Sequence, residues 1–376
     1  MKILFVSCND WVPWGGSEEL WYKTAIELKK LGHEIHINVK KWHPRPNHIQ
    51  ECAEAGCQVF ERGFKPSYTI PSRVKRFFLK DKFDQNSQNL EFLKSQLPDF
   101  VVINQGSIFD GLEWANICQQ LNISYSVIVQ LVNEYIFYGD YEAKALQNFF
   151  INAKRIFFVS NQNHILLENM IGLKLKNADI VRNPFREYFG VLEYPATQNG
   201  YHLAFVASYN PLHKGHPILF EVLSDSKWKQ RELFVNLYGK GIAENLYKNL
   251  IDYWSLDKVK ICGYESDLFK IWSKNHGLIL ASRMEGQSLA LIEAMYCKRM
   301  AIVTNIGGAK EIIKHGISGF VAQTPSTYHL DEVLEEAWKK REEWENIGIE
   351  ARKSIDLNFP KKPINDFCEK ILNIFK

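Results

Sequence analysis

Short apolar runs alternate with amphipathic stretches along all 376 residues. That alternation predicts parallel strands covered by helices on both faces, an α/β chain. In the first half, strands are expected at Ile3–Ser7, Glu34–Val39, Phe100–Asn104, Ser124–Val129 and Ile156–Val159. In the second half they are expected at His202–Val206, Phe234–Tyr238, Val259–Cys262, Gly277–Leu280 and Met300–Val303. The two halves open alike. K-I-L-F-V-S leads into a loop with Gly15 and Gly16 and then a helix, and H-L-A-F-V-A-S leads into a loop with Lys214 and Gly215 and then a helix. The pattern predicts two Rossmann-like domains in series, 1–185 and 201–355, with a central cleft between them as the default ligand site. Residues 186–200 carry Gly190, Pro195 and Gly200 without periodicity and read as the linker. A charged helix is expected over Asp331–Trp344, and Pro360 and Pro363 then interrupt before an apolar-periodic segment, Ile364–Phe375. The stretch 356–376 is expected to pack back on the N-terminal domain.

Length agrees with two or three domains. Lys and Arg number 46 against 43 Asp and Glu, and a net charge of +3 excludes a dedicated nucleic-acid binder. The seven cysteines are scattered and form no C-x-x-C pair, which reads as reduced thiols of a cytoplasmic protein. M-K-I-L-F-V-S lacks the basic and apolar regions of a signal peptide, and no window approaches 18 uninterrupted apolar residues. Neither secretion nor membrane spanning is expected.

The densest chemistry lies between Leu278 and Phe320. Glu285, Gly286 and Gln287 sit in a loop after a strand, and Ser288 and Leu289 open a helix with Ile292 and Met295 on one face. A helix start at the carboxyl end of a strand suits a diphosphate, because its amides and dipole favour negative charge. Glu293 would lie roughly 8 Å along that helix, where a carboxylate can accept hydrogen bonds from ribose hydroxyls. Glu285, on the loop side, could hold the hydroxyls of a sugar. A second loop, N-I-G-G-A-K-E, has paired glycines that permit close backbone approach.

E-G-Q-S-L-A-L-I-E, together with N-I-G-G-A-K-E-I-I, H-G-I-S-G-F-V-A and I-V-R-N-P-F in this order, closely resembles the retaining glycosyltransferases of family 4 over nearly the whole chain. The resemblance implies the GT-B architecture of two facing Rossmann-like domains. It implies that Glu285 of the E-x7-E motif contacts the donor sugar, and that Glu293 binds the nucleotide ribose. Lys214 matches the family lysine that binds the donor diphosphate, and with Glu285 it is the expected catalytic pair. The family segment F-V-A-S usually carries G-R where this chain has Ala207 and Ser208, so the partner arginine of that clamp is replaced by Ser208. Y-G-K-G and C-G-Y-E-S-D-L-F match segments lining the nucleotide and base pocket, which makes Gly239 and Tyr264 donor-site candidates alongside Gly286, Gln287, Ser288, Leu289 and Ser208. G-G-S-E resembles the N-terminal glycine loop facing acceptor and phosphates, giving Gly15, Gly16 and Ser17 as contacts, with Ser17 also expected to cap the next helix.

Gln130 and Glu134, after the strand S-V-I-V, are further candidates for sugar or acceptor contact. The basic and aromatic stretch Arg73–Phe83 reads either as a peripheral contact with the inner membrane surface, where a lipid-linked acceptor would sit, or as a solvated helix face. No metal is expected: D-x-D is absent, and His213 and His216 lack carboxylate or cysteine partners in their segment. The G-x-G-x-x-G fingerprint of nicotinamide enzymes is absent too. The expectation is a metal-independent, retaining hexosyltransferase with no cofactor. It would move a sugar from a nucleoside-diphosphate donor, UDP preferred over GDP, to a hydroxyl of a glycan or lipid-linked glycan of the cell-surface polysaccharide type. A nucleotide-sugar-binding protein without turnover, or an epimerase or hydrolase of the same architecture, is the alternative.

Overall fold

In the first half of the chain, β1 (Lys2–Ser7), β2 (Glu34–Lys40), β3 (Gln58–Arg62), β4 (Phe100–Asn104), β5 (Ser124–Val129), β6 (Ile156–Phe158) and β7 (Ala178–Ile180) form one sheet. Its order is β3-β2-β1-β4-β5-β6-β7, and these neighbours pair in parallel. The computed structural model describes residues 1–63, 79–135, 139–188 and 190–376, and the backbone alone of 79–85. The expected membrane-contact stretch, 73–83, lies outside the residues described with side chains. Among the described residues no helix is long and apolar enough to cross a membrane.

β1, β4 and β5 are apolar on both faces because both faces are covered. One face packs Leu4, Val6, Val101 and Val127 under Trp114, Phe149 and Phe150. The other packs Ile3, Phe5 and Val102 under Trp21, Leu28 and Phe367. Phe367 comes from the helix Pro363–Leu372, whose Cys368 and Ile371 are buried in the same cluster. Unit 1 is accordingly Met1–Pro184 with Lys362–Lys376, and the chain leaves it once and returns.

Unit 2, Phe185–Lys361, is built on β8 (Tyr201–Val206), β9 (Leu233–Tyr238), β10 (Val259–Gly263), β11 (Gly277–Leu280), β12 (Met300–Thr304) and β13 (Phe320–Ala322). The sheet runs β10-β9-β8-β11-β12-β13, again parallel. Parallel strands joined through helices put every βα loop at the carboxyl end of its sheet, and that edge carries the candidate site.

Two expectations about organisation are corrected. Residues 186–200 are not a free linker: Phe185, Tyr188, Leu192 and Tyr194 pack on the core of unit 2, and the Glu193 carbonyl accepts a 2.6 Å hydrogen bond from the buried Arg299 guanidinium. The boundary at 355 also moves, because the helix Trp344–Asn358 buries Trp344, Ile347, Ala351 and Ile355 in unit 2, and the return to unit 1 falls at 361–362. The charged stretch Asp331–Trp344 is split between the end of the helix Thr327–Lys339, a 3-10 turn at Arg341–Glu343 and the first residue of the next helix.

Candidate functional site

The site is assembled on unit 2 by three βα loops. After β8, Asn210 caps the short helix Pro211–Lys214 by accepting from the Leu212 amide, and Lys214 closes it. Gly215 then turns the chain at φ +65°, where an added Cβ would run into the Ala281 carbonyl. That close approach, open only to glycine, seats the Lys214 segment against the loop after β11. The His213 carbonyl accepts from the Arg283 amide at 2.8 Å across the same seam.

Glu285 stands in that second loop, and its carboxylate is the meeting point. Oε1 accepts from Lys214 Nζ at 2.7 Å and from Ser282 Oγ at 2.8 Å, while Oε2 accepts from Lys214 Nζ at 2.8 Å. Ser282 is itself buried, and its carbonyl accepts from Thr304 Oγ1 at 2.6 Å, so the loop is tied to the end of β12. Below it lies a small cavity lined by Ser282, Glu285, Ser288, Thr304, Ile306 and Ala309, among others. In the third loop, Gly307 at φ +64° lies against Glu285, with room for no side chain: a Cβ there would come within 2.5 Å of Glu285 Cβ.

The helix Leu289–Tyr296 follows, with Ser288 before it making no side-chain cap. Gly286, Gln287, Ser288 and Leu289 are half-buried in this turn. Glu293 is almost wholly buried, and its partner is one that sequence reasoning did not name: Arg186 donates from Nε to Oε1 at 2.8 Å and from Nη2 to Oε2 at 2.6 Å, with its backbone amide on Oε1 at 3.3 Å. The paired carboxylate raises the Arg186 pKa above its ordinary value. Arg186 directly follows the stretch I-V-R-N-P-F, but its pairing spans 107 residues, and no local spacing reveals it.

The remaining donor candidates line the same edge. Gly239 follows β9, its amide on the Gly263 carbonyl at 2.9 Å. Tyr264, after β10, is exposed, and the Lys240 ammonium lies 4.8 Å from its ring centroid. Ser208 is exposed after β8. His216 is fully buried against Phe205 and Tyr247, and burial lowers its pKa to about 3, so it is a neutral core ring.

Unit 1 holds a second polar cluster, which the sequence reading stopped one residue short of. Glu18 is buried and accepts from Ser7 Oγ and Trp21 Nε1, each at 2.7 Å, and from Asn104 Nδ2 at 3.1 Å. Asn9 Nδ2 and Ser17 Oγ add longer bonds, each 3.4 Å. Burial raises the Glu18 pKa in spite of these donors. Gly15 and Gly16 lead into a 3-10 turn, Gly16–Glu18, which puts Ser17 inside the turn; it caps nothing, contrary to expectation. Gln130, expected as a sugar or acceptor contact, is hydrogen-bonded within unit 1. Its Nε2 donates to the Ser17 carbonyl at 2.9 Å and Asn104 Oδ1 at 3.1 Å, and its Oε1 accepts from Asn183 Nδ2 at 3.0 Å, so the buried amide fastens the glycine loop to β4. Glu134 is exposed.

With the geometry in place, comparison decides what kind of edge this is. Residues 194–354 match the family described as "Glycosyl transferases group 1". The matched stretch lies within unit 2. Beyond it, the chain is 29% identical over 115 residues to the N-acetyl-alpha-D-glucosaminyl L-malate synthase of Bacillus anthracis, covering 31% of this chain and 30% of that one. It is 26% identical over 201 residues to an uncharacterised glycosyltransferase of Methanocaldococcus jannaschii, covering 52% of this chain and 53% of the other. The chain thus spans only 30% to 53% of the length of these relatives. Among solved structures it is similar to Anabaena HepE in complex with UDP-glucose, with a TM-score of 0.73 and 15% identity over 99% of both chains. A Rickettsia africae glycosyltransferase gives a TM-score of 0.74 at 19% identity, covering 100% of this chain and 98% of that one. The two parallel-sheet units together have the GT-B fold of these structures.

Proposed function

We propose that the protein is a retaining, metal-independent glycosyltransferase taking a hexose from a nucleoside-diphosphate donor, with UDP preferred over GDP. The acceptor is a hydroxyl of a glycan or lipid-linked glycan. The observation that carries the reading is the Lys214–Ser282–Glu285 constellation, placed eight residues before the buried Glu293 on one loop and helix. It supplies a cation for a diphosphate and two carboxylates for sugar and ribose. Structures of HepE, which is similar throughout, hold UDP and UDP-glucose.

In this mechanism Lys214 and Glu285 neutralise each other before the donor binds. A donor diphosphate draws the Lys214 ammonium to its phosphates and frees a Glu285 oxygen for sugar hydroxyls. The acceptor oxygen then bonds to the anomeric carbon as the bond to the phosphate oxygen breaks. The departing phosphate oxygen takes the acceptor proton on the same face, so configuration is retained without a protein nucleophile. Lys214 stabilises the charge that grows on the leaving diphosphate, and binding energy supplies orientation. D-x-D is absent from the chain, which leaves this charge to Lys214 and backbone amides.

The test is a panel of UDP- and GDP-hexoses with glycan and lipid-linked acceptors, with NMR of the new linkage. Transfer from one donor with retained anomeric configuration, unchanged by EDTA, is expected. An inverted product overturns the mechanism. Nucleotide binding without transfer favours the non-catalytic alternative, in line with an exposed Ser208 where an arginine would complete the clamp.

A further inference from the structure

Glu293 poses a problem that its own segment does not solve. It is 4% exposed, and burying a carboxylate to that degree is costly unless a cation is paired with it. The segment L-A-L-I-E-A-M-Y supplies none. The charge is supplied from the strap that follows unit 1, by Arg186, in a two-pronged pair that fixes both the position and the rotation of the carboxylate plane. A lysine could match the charge but not the plane.

The third arm of the guanidinium goes elsewhere. Arg186 Nη1 donates to the Ser266 carbonyl at 2.7 Å, in the loop after β10 that also carries the exposed Tyr264. One side chain therefore joins the helix bearing Glu293 to the loop two residues beyond Tyr264. The guanidinium is not sealed in: its side chain retains 43% of its exposure, against 5% for Glu293. Beside the pair, Glu187 accepts from Tyr296 Oη at 3.2 Å on the exposed side of the same helix. Cys297, at the end of the same helix, is pushed up to about 12 by burial and stays a neutral thiol. Arg352, from the helix Trp344–Asn358, donates to the Tyr296 carbonyl, and Arg299 donates to backbone carbonyls.

We infer that Arg186 is a positioning residue for nucleoside recognition: it balances the buried charge of Glu293, fixes the plane of that carboxylate towards the ribose hydroxyls, and locks it to the Tyr264 loop. The inference rests on the proposed donor reading of Glu293. Arg186 touches the carboxylate and the loop, and it acts on the nucleotide through them.

The experiment is calorimetric titration of the full chain with UDP and with its 2′,3′-dideoxy analogue, for wild type, Arg186→Ala, Arg186→Lys and Glu293→Ala, with melting temperatures recorded for each. Wild type is expected to prefer UDP on the order of tenfold, the worth of hydrogen bonds to a charged acceptor. Arg186→Ala is expected to bring that ratio close to one, as Glu293→Ala does, and Arg186→Lys to recover part of it. A merely structural role would weaken both ligands alike and leave the ratio intact. Undiminished discrimination in Arg186→Ala, with Glu293→Ala losing it, overturns the inference and spares the donor reading. Wild type that binds UDP without discrimination, or does not bind it, overturns both.

Discussion

Lys214→Ala isolates the central pair of the site. In the resting protein the ammonium makes two bonds to Glu285, at 2.7 and 2.8 Å, with the lysine side chain 21% exposed and the glutamate 11%. Truncation leaves Glu285 largely buried without its charged donor, while Ser282 Oγ still donates to it. A part-buried carboxylate that loses a charged donor is destabilised by about 2 kcal/mol. In a unit of this size that lowers the melting temperature by about 4–8 °C. The same substitution removes the cation assigned to the diphosphate, and a lost charge-assisted contact weakens binding by about 10- to 100-fold. Differential scanning calorimetry and UDP titration of Lys214→Ala, Glu285→Gln and the double variant separate the two effects. The double variant should regain most of the melting temperature, because the neutral amide no longer needs the cation, and should regain none of the affinity. If Lys214→Ala melts with wild type and binds UDP equally well, the pair is incidental and the charge argument fails.

Three further outcomes follow from the packing. Arg299, 1% exposed, spends its guanidinium on the carbonyls of Trp272, Cys297, Lys298 and Glu193, so Arg299→Ala should cost about 3–5 kcal/mol in urea unfolding; a midpoint equal to wild type would show that the 185–200 strap is held by other contacts. Gly307→Ala places a methyl against Glu285 Cβ at a left-handed backbone, and about 1–3 kcal/mol of strain together with weakened UDP binding is expected, read by calorimetry and titration. Burial pushes Asp110 in unit 1 up to about 7 from 3.8, so between those values the folded state binds a proton that the unfolded state lacks. Its contribution to stability therefore grows as pH falls from about 7 towards 4, and melting of wild type minus Asp110→Asn across that range should rise on acidification; a flat difference would refute the shift.

The interior of both sheets was legible because buried parallel strands carry continuous apolar runs. Phe100–Asn104, Ser124–Val129 and Gly277–Leu280 coincide with expectation to the residue. Three strands escaped notice at or next to the sheet edges. Gln58–Arg62 is half-exposed with mixed polarity, and Ala178–Ile180 and Phe320–Ala322 are three residues each, too short to show a period. The strap 185–200 misled for a related reason. Phe185, Tyr188 and Tyr194 dock individually on the core, and a chain bound that way has no periodicity to distinguish it from a linker. At the site, the Lys214, Glu285 and Glu293 positions were readable through motif resemblance, whereas Arg186 and the Asn104 partner of Glu18 were not, since their pairings join residues 107 and 86 positions apart. Ser17 was misjudged because a 3-10 turn, which local sequence does not announce, shifts the helix start to Glu19.

The return of the chain to unit 1 bears on how the protein is made. Phe367, Cys368 and Ile371 complete a core whose other members, such as Phe5 and Trp21, emerge from the ribosome more than 300 residues earlier. During synthesis the first sheet has one face without its last covering helix until all of unit 2 has been translated. Unit 2 has no such debt, since Phe185–Lys361 is continuous and can collapse as soon as it is complete. The nascent N-terminal half is thus the part that a chaperone would hold, and a nonsense codon just past 361 would leave unit 2 whole and unit 1 open to aggregation.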